Sequence, residues 1–283
     1  MTVAELIRKG TDRLAPPRPA DEARPEVELL LAHALGHSRS WLYARPEHRP
    51  DGQQAAAYCE LVERRAQGVP LEYLTGRAAF HDIELEVTPD VLIPRPETEV
   101  LVEEALSFLR GTDCPLMADV GTGSGAVVLA LAHALPQLRA VATDVSRAAL
   151  LVAARNMQAL GVTDRVMLVN CDLLSAIGTR FCLVTANLPY VSTEDLEGPA
   201  AIVALHEPRV ALDGGPRGLQ LVRRLLEQLP EHLAPGGLAL FEIGSDQGAQ
   251  AAAMAQSLLP GAEVSVVPDQ WRLDRVLRVR MAE

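Results

Sequence analysis

Leu116-Met117-Ala118-Asp119-Val120-Gly121-Thr122-Gly123-Ser124-Gly125 is the stretch that decides the fold. Leu116 to Val120 reads as a buried strand, the glycines as a tight turn, and Ala126 to Leu135 as the helix that follows. The same alternation continues downstream. Arg139 to Thr143 is a strand, Arg147 to Leu160 a helix closed by Gly161, and Val166 to Val169 and Phe181 to Ala186 are further strands. Gly218 to Leu233 is a helix and Leu238 to Ile243 a strand. Alternating strands and helices predict an α/β fold with a mainly parallel, doubly wound sheet. At the end of the chain, Val264 and Val266 alternate with polar residues, and Arg275 to Val279 returns after a turn at Asp269-Gln270-Trp271. This predicts an antiparallel C-terminal hairpin on one sheet edge.

Upstream of the sheet the period is helical. Val3 to Leu14 is stopped by Pro16-Pro17, Glu26 to Leu35 is capped by Gly36, and Gln53 to Gln67 ends at Gly68. Three such segments predict a small N-terminal helical bundle. The period changes at Phe80. Ile83, Leu85 and Val87 alternate with acids, Pro89-Asp90 makes a turn, and Val91-Leu92-Ile93 is expected to return as the second strand of a hairpin. Pro94 to Glu99 then opens a helix running to about Leu109. The expected domains are therefore a helical module over residues 1–78, suited to docking a partner, a β-hairpin linker over 79–96, and the sheet domain over 97–283.

With 283 residues, 48% of them hydrophobic and 22% charged, the chain can bury a large core. Its formal net charge of -11 disfavours a protein held mainly by nucleic-acid phosphates and favours a protein or small-molecule partner. Cys59, Cys114, Cys171 and Cys182 form no metal-ligand spacing, so no metal is expected and the thiols read as small buried residues in a reducing compartment. The N-terminus lacks an apolar signal core, and no uncharged run is long enough to span a bilayer. The protein reads as cytoplasmic, with no membrane partner.

The turn Gly121-Thr122-Gly123-Ser124-Gly125 lets a ligand approach the backbone, and the helix after it presents unpaired N–H groups. Asp144, at the end of the second sheet strand, is placed to accept both hydroxyls of a ribose. With Ala126 the turn also satisfies a relaxed dinucleotide fingerprint, so NAD and S-adenosylmethionine both fit at this point, as does a turn needed only for packing. Asp172 and Leu173, after the third strand, sit where an adenosyl site faces the adenine amine and ring.

Asn187-Leu188-Pro189-Tyr190 follows the apolar strand Phe181 to Ala186. The Asn187 amide oxygen and the Leu188 carbonyl can accept the two hydrogens of a planar NH2 group, Pro189 stiffens the loop, and Tyr190 can stack on the plane. An amide nitrogen is a poor nucleophile because its lone pair is delocalised. Fixing both N–H bonds aims the remaining lobe at an incoming methyl group, and orientation of this kind can contribute up to ~7–11 kcal/mol. Hydride transfer to NAD needs no such clamp, so the tetrapeptide favours S-adenosylmethionine as cofactor.

The tetrapeptide resembles the Asn-Pro-Pro-Tyr motif of amino-methyltransferases acting on adenine, cytosine or glutamine nitrogens. Leu71 to Gly76, Leu92-Ile93-Pro94-Arg95-Pro96-Glu97-Thr98-Glu99, the glycine loop, Glu207-Pro208 and Ala211 to Gly215 further resemble the HemK/PrmC family, the peptide chain release factor glutamine methyltransferases. The likeness runs from about Leu71 to the C-terminus, and Pro94 to Thr98 is its most specific piece. It implies a Rossmann-like methyltransferase domain. Gly121 to Gly125, Asp144, Asp172, Leu173 and Asn187 would hold S-adenosylmethionine, and Asn187 to Tyr190 would hold the glutamine of a release factor's Gly-Gly-Gln loop. Three positions depart from the pattern: Leu188 replaces a proline, Leu173 an aromatic, and Arg217 an acid. A nucleic-acid base or a ribosomal-protein glutamine as acceptor, and a non-catalytic nucleoside-binding protein, are the competing readings.

Overall fold

A computed structural model describes residues 1–15, 19–112, 116–198 and 205–283. The expected stop at Pro16-Pro17 and Cys114 lie outside the described residues. The chain divides into two compact units, Met1–Arg77 and Ala78–Glu283.

The first unit contains helices α1 (Val3–Leu14), α2 (Ala20–Leu35), α3 (Arg39–Ala44), α4 (Gly52–Ala66) and α5 (Leu71–Thr75). Capping boxes start two of them, Thr2 with Glu5 on α1 and Asp51 with Gln54 on α4. Leu6, Leu30, Leu31 and Leu42 are fully buried around Tyr58, whose hydroxyl donates to the Leu6 carbonyl at 3.0 Å. Glu28 is buried in the same unit and accepts from Arg24, Arg39 and Tyr43. Burial alone would raise its pKa, but these three donors together hold it below the ordinary glutamate value. Helix α2 begins at Ala20, earlier than the expected Glu26, and runs through Pro25. Pro25 lies only five residues into the helix, and the complete burial of Ala23 and Val27 holds the first turns against its helix-breaking tendency.

Next in the chain is a hairpin, β1 (Arg77–Phe80) and β2 (Ile83–Glu86). The alternation through Ile83 and Leu85 is as expected, but the partner strand precedes it, and Val91-Leu92-Ile93 is no strand. The tight turn lies at His81-Asp82, with His81 at φ 49° and tied to the next helix through Glu99 (3.0 Å) and Glu103 (2.8 Å). Val91 closes its own turn on Thr88, and the chain then runs extended to a 3-10 turn at Pro96–Thr98.

Next come α6 (Glu99–Arg110), β3 (Leu116–Val120), α7 (Ala126–Ala134), β4 (Arg139–Asp144), α8 (Arg147–Ala159), β5 (Val166–Asn170) and β6 (Phe181–Ala186). They are followed by α9 (Thr193–Glu197), α10 (Gln220–His232), β7 (Leu233–Glu242), α11 (Gly248–Leu258), β8 (Glu263–Pro268) and β9 (Asp274–Arg280). The seven strands order as β5-β4-β3-β6-β7-β9-β8. They are parallel except for the terminal hairpin, which is the arrangement the sequence predicts. Side chains alternate between two cores. Met117, Leu183 and Leu240 pack on the face of α6 and α7, while Ala118, Val184 and Phe241 pack on the face of α10 and α11. Burial on both faces is what a parallel sheet requires. Strand order reverses beside β3, so the carboxyl ends of β3, β4 and β6 open onto one crevice.

Asn156 of α8 connects the hairpin to that crevice. Its side chain accepts from the Glu86 N–H (2.6 Å) and donates to the carbonyls of Glu86 and Ser124 (both 2.9 Å), at 2% exposure. Replacing it by alanine leaves three backbone groups unpaired, the buried Ser124 carbonyl and the half-buried N–H and carbonyl of Glu86, and an unpaired buried group costs ~1–3 kcal/mol. Asn156→Ala is expected to lower the urea midpoint by an amount equivalent to roughly 2–4 kcal/mol. A change within experimental error would show that these bonds do not hold the glycine turn.

Candidate active site

A cavity of about 650 Å³ opens at the carboxyl ends of the strands. That volume is within the range of small-molecule and cofactor sites. The cavity is lined by Gly121, Thr122, Gly123 and Ser124 after β3, Asp144 at the end of β4, Asp172 and Leu173 after β5, and Asn187, Leu188 and Pro189 after β6. Four separate loops with expected site residues therefore converge. Gly125, the last glycine of the turn, starts α7 behind the wall.

The glycine turn takes a conformation that side chains rarely adopt, with φ of 71°, 57° and 87° at Gly121, Gly123 and Gly125. It is fixed from below. The N–H groups of Gly121 and Thr122 both donate to the Thr143 carbonyl at 2.9 Å. Asp119 is 2% exposed and receives the hydroxyls of Thr122 and Thr185, each at 2.7 Å. Burial raises its pKa to about 6, against the pull of those hydroxyls and with a further push from Asp144.

Asp144 accepts the Gly123 N–H at 2.9 Å on one oxygen and the Ser146 N–H at 2.8 Å on the other. A carboxylate has about four acceptor sites, so capacity for a diol remains on the cavity side. Burial raises its pKa, opposed by these backbone donors. Val127, Val145, Ala149, Leu173 and Leu188 contribute apolar side chains to the lining of the same cavity. An acceptor for hydroxyls, an open glycine backbone and an apolar slot match the chemistry of S-adenosylmethionine. Asp172 lines the cavity but is already paired with Arg224 at 2.6 Å, so one of its oxygens is engaged. Leu173 is buried at φ 51°, a strained conformation for a leucine.

Asn187, also in the cavity lining, donates through Nδ2 to Thr98 Oγ1 at 3.0 Å. Its Oδ1 is left as the acceptor. Among the described residues neither Asn187 Oδ1 nor the Leu188 carbonyl takes a hydrogen bond from the protein. Leu188 is buried against Gly121, which places the clamp loop directly on the glycine turn. Tyr190 does not line the cavity. Its hydroxyl lies beside Glu242 at the end of β7, and burial raises its pKa, with Glu242 adding to the effect.

The loop after Asn187 is held by residues whose role was not legible beforehand. Val191 donates to the Leu212 carbonyl at 3.0 Å and accepts from Gly214 at 2.8 Å, and Gln247 donates to the Tyr190 carbonyl at 2.9 Å. Gly218 at φ 69° passes so close that a Cβ there would lie 2.0 Å from the Tyr190 carbonyl oxygen. Glu207, itself buried, accepts from the Ile93 N–H at 3.1 Å and from the half-buried Arg95 in an ion pair. It thereby pins the segment whose Asp90, Val91, Leu92, Pro94 and Thr98 line the cavity. The pairing of the Pro-Arg-Pro run with Glu207-Pro208 explains why both segments are distinctive in the sequence.

Comparison with known proteins agrees with this geometry. Residues 5–76 match the family model described as PrmC N-terminal domain, and residues 117–206 match that described as Methyltransferase domain. A release factor glutamine methyltransferase of Moorella thermoacetica is 42% identical over 276 residues, covering 97% of each chain. One from Rhodopirellula baltica is 34% identical over 287 residues, covering 99% of this chain and 97% of the relative. Among solved structures, a methyltransferase from Pyrococcus furiosus superposes with a TM-score of 0.52 at 17% identity, over 72% of this chain and 92% of that one. That likeness shows the Rossmann-like methyltransferase fold.

The buried Asp119 gives a pH signature. Its folded pKa of about 6 exceeds the ordinary aspartate value of 3.8, so its stabilising contribution is complete below the ordinary value and is lost as pH rises through about 6. The stability difference between Asp119→Asn and the unaltered protein should move in favour of the variant between those pH values, by on the order of 3 kcal/mol. Denaturation curves across that window measure it, and a pH-independent difference would contradict the assignment.

Proposed function

This chain belongs to the release factor glutamine methyltransferase family, and from that premise we propose that it methylates the glutamine of the Gly-Gly-Gln motif of peptide chain release factors. It is an S-adenosylmethionine-dependent protein-glutamine methyltransferase, and the finer assignment concerns which glutamine and which residues hold it. The observation that carries the reading is the pair of acceptors, Asn187 Oδ1 and the Leu188 carbonyl, left without protein donors beside the glycine turn.

S-adenosylmethionine, when bound, supplies an electrophilic methyl group on a positively charged sulfur. Gly121 to Gly125 present their backbone to it, Asp144 accepts its ribose hydroxyls, and Asp172 and Leu173 border its adenine. Asn187 Oδ1 and the Leu188 carbonyl each accept one N–H of the glutamine amide. With the amide plane fixed, the nitrogen presents the face of its lone pair along the line of attack. The same two acceptors stabilise the N–H bonds as the nitrogen becomes positive, so their interaction strengthens toward the transition state. Proton loss follows methyl transfer, so no strong general base is required. Leu188 substitutes for a proline without cost to this chemistry, because the clamp uses its carbonyl and its side chain packs on Gly121. Tyr190, turned toward Glu242, acts by fixing the loop.

The helical unit is proposed to dock the release factor, in keeping with the match of residues 5–76 to the PrmC N-terminal domain. The reading places the enzyme in the cytoplasm. Among the described residues no helix is long and apolar enough to cross a membrane.

Incubation with a release factor and S-adenosylmethionine carrying a labelled methyl group should add one methyl to the Gly-Gly-Gln peptide, read by mass spectrometry. Label on RNA, or on no release-factor glutamine, would overturn the substrate assignment. Asn187→Ala should lower kcat by about 10²–10³ while cofactor affinity stays within a few-fold. Asp144→Asn should do the reverse, weakening cofactor binding about tenfold or more by loss of a charge-assisted acceptor. Equal effects of both variants on both constants would contradict the division of roles.

A further inference from the structure

The turn between β8 and β9, Asp269-Gln270-Trp271-Arg272-Leu273, carries two large apolar side chains in the open. Trp271 is 58% exposed and Leu273 48%. One exposed apolar residue is ordinary. Two at the tip of a turn as firmly built as this one call for a physical reason. The Asp269 side chain is buried. One of its oxygens accepts the N–H groups of Trp271 at 2.9 Å and Leu273 at 3.0 Å, and the other accepts from Arg275 at 3.2 Å. The Asp269 N–H donates to the Leu273 carbonyl at 2.8 Å, and its carbonyl accepts the Arg272 N–H at 2.9 Å. Arg272 is thereby held at φ 64°, the left-handed region that is costly for a residue with a Cβ. The turn spends that energy keeping Trp271 and Leu273 fixed and in solvent.

Strand register places this turn at the sheet edge where the cavity opens. Ala186, Phe241 and Leu277 lie in one row across β6, β7 and β9. Beyond that row β6 continues into Asn187. On β9, which runs antiparallel to β7, the same direction leads back through Arg275 to Leu273 and the turn. The Ile243 N–H donates to the Arg275 carbonyl at 2.9 Å, so the hairpin stays on the sheet to that point. Two strand spacings separate β6 from β9, and Leu273 lies four residues before Leu277. The tip is therefore on the order of 15 Å from Asn187. An ordinary protein interface covers ~800 Å² on each partner, a patch about 16 Å in radius. An interface centred on Asn187 reaches the tip, whereas a free amide or a short peptide does not.

We propose that Trp271 and Leu273 anchor the body of the protein substrate, apart from both the helical unit and the acceptors that take the glutamine itself. The inference rests on the release-factor reading of the site and deepens it. The surface that fits this tip is an apolar patch bordered by a carboxylate, because the exposed Arg272 lies between the two apolar residues. Tryptophan and arginine are among the side chains that most often carry binding energy at interfaces. A turn already fixed in the free protein loses little further freedom on binding.

Trp271→Ala leaves the cavity lining untouched. It is expected to raise KM for intact release factor about 5–30-fold, with kcat, cofactor affinity and the thermal midpoint unchanged. Trp271→Phe should recover most of that loss. The rate with a short Gly-Gly-Gln peptide should be the same in both variants and the unaltered enzyme. A second readout needs no turnover. Trp271 is one of two tryptophans, so Trp41→Phe protein labelled with fluorotryptophan gives a single fluorine NMR signal, from the tip. That signal should shift when release factor is added with S-adenosylhomocysteine and stay in place with free glutamine. A release factor that is methylated while KM and the fluorine signal ignore the tip overturns the anchor and leaves the substrate reading intact. A release factor that is neither bound nor methylated faults the substrate reading, and the anchor loses its occupant with it. If Trp271→Ala instead turns a dimer into a monomer in sedimentation, the tip belongs to a second copy of the chain and the proposal is overturned.

Discussion

The hydrogen bond from Asn187 Nδ2 to Thr98 Oγ1 joins the two halves of the active site. One partner follows the central strand β6, and the other ends the 3-10 turn of a loop pinned by Glu207. The bond spans 89 residues of sequence, so it forms only after the sheet and the loop are both in place. It also settles a chemical ambiguity. An asparagine presents a donor or an acceptor depending on which way its amide faces, and an amide substrate needs an acceptor here. Thr98, by accepting Nδ2, makes Asn187 an acceptor toward the cavity.

The remainder of the site is arranged around that choice. Parallel pairing of β3 with β4 and β6 brings Gly121, Asp144 and Asn187 to one edge, and Asp119 and Thr185 are register partners that tie the first and last of these strands together. Asp119 then holds Thr122 in the turn. Leu188, packed against Gly121, keeps the Asn187–Tyr190 loop in contact with the glycine turn. In the proposed reading, two planar groups, an amide and a nucleoside, meet backbone and carboxylate acceptors with few mobile charges. Buried acids behind it, Asp119 and Glu242, carry raised pKa values because burial outweighs their partners. Such perturbed groups cluster where function requires defined protonation states.

Much of this was legible in the sequence, for identifiable reasons. The strands from Leu116 to Ala186 are apolar on both faces and end in glycine or polar turns, so their existence and order followed from local pattern. Asp144 and Asn187 could be placed because each terminates such a strand. The hairpin was misread because alternation marks a strand but does not name its partner. Val91 to Ile93 is as apolar as a strand, yet its direction is set by Glu207, more than a hundred residues away. Tyr190 was expected to stack on the substrate plane; its hydroxyl lies beside Glu242 of β7, a neighbour that only tertiary packing brings to it. Thr98 was read only as part of the Pro94–Glu99 run that opens a helix, and its bond to Asn187 is a property of the assembled sheet.

The central claim is that Asn187 Oδ1 and the Leu188 carbonyl hold an amide nitrogen facing the cofactor site. A crystal structure of the protein with S-adenosylhomocysteine and glutamine tests it most directly. The account predicts the glutamine Nε2 within ~3.2 Å of both oxygens, with the Asn187 Nδ2 bond to Thr98 retained. A glutamine amide bound through its oxygen to Asn187, or seated away from the carboxyl end of β6, would contradict it.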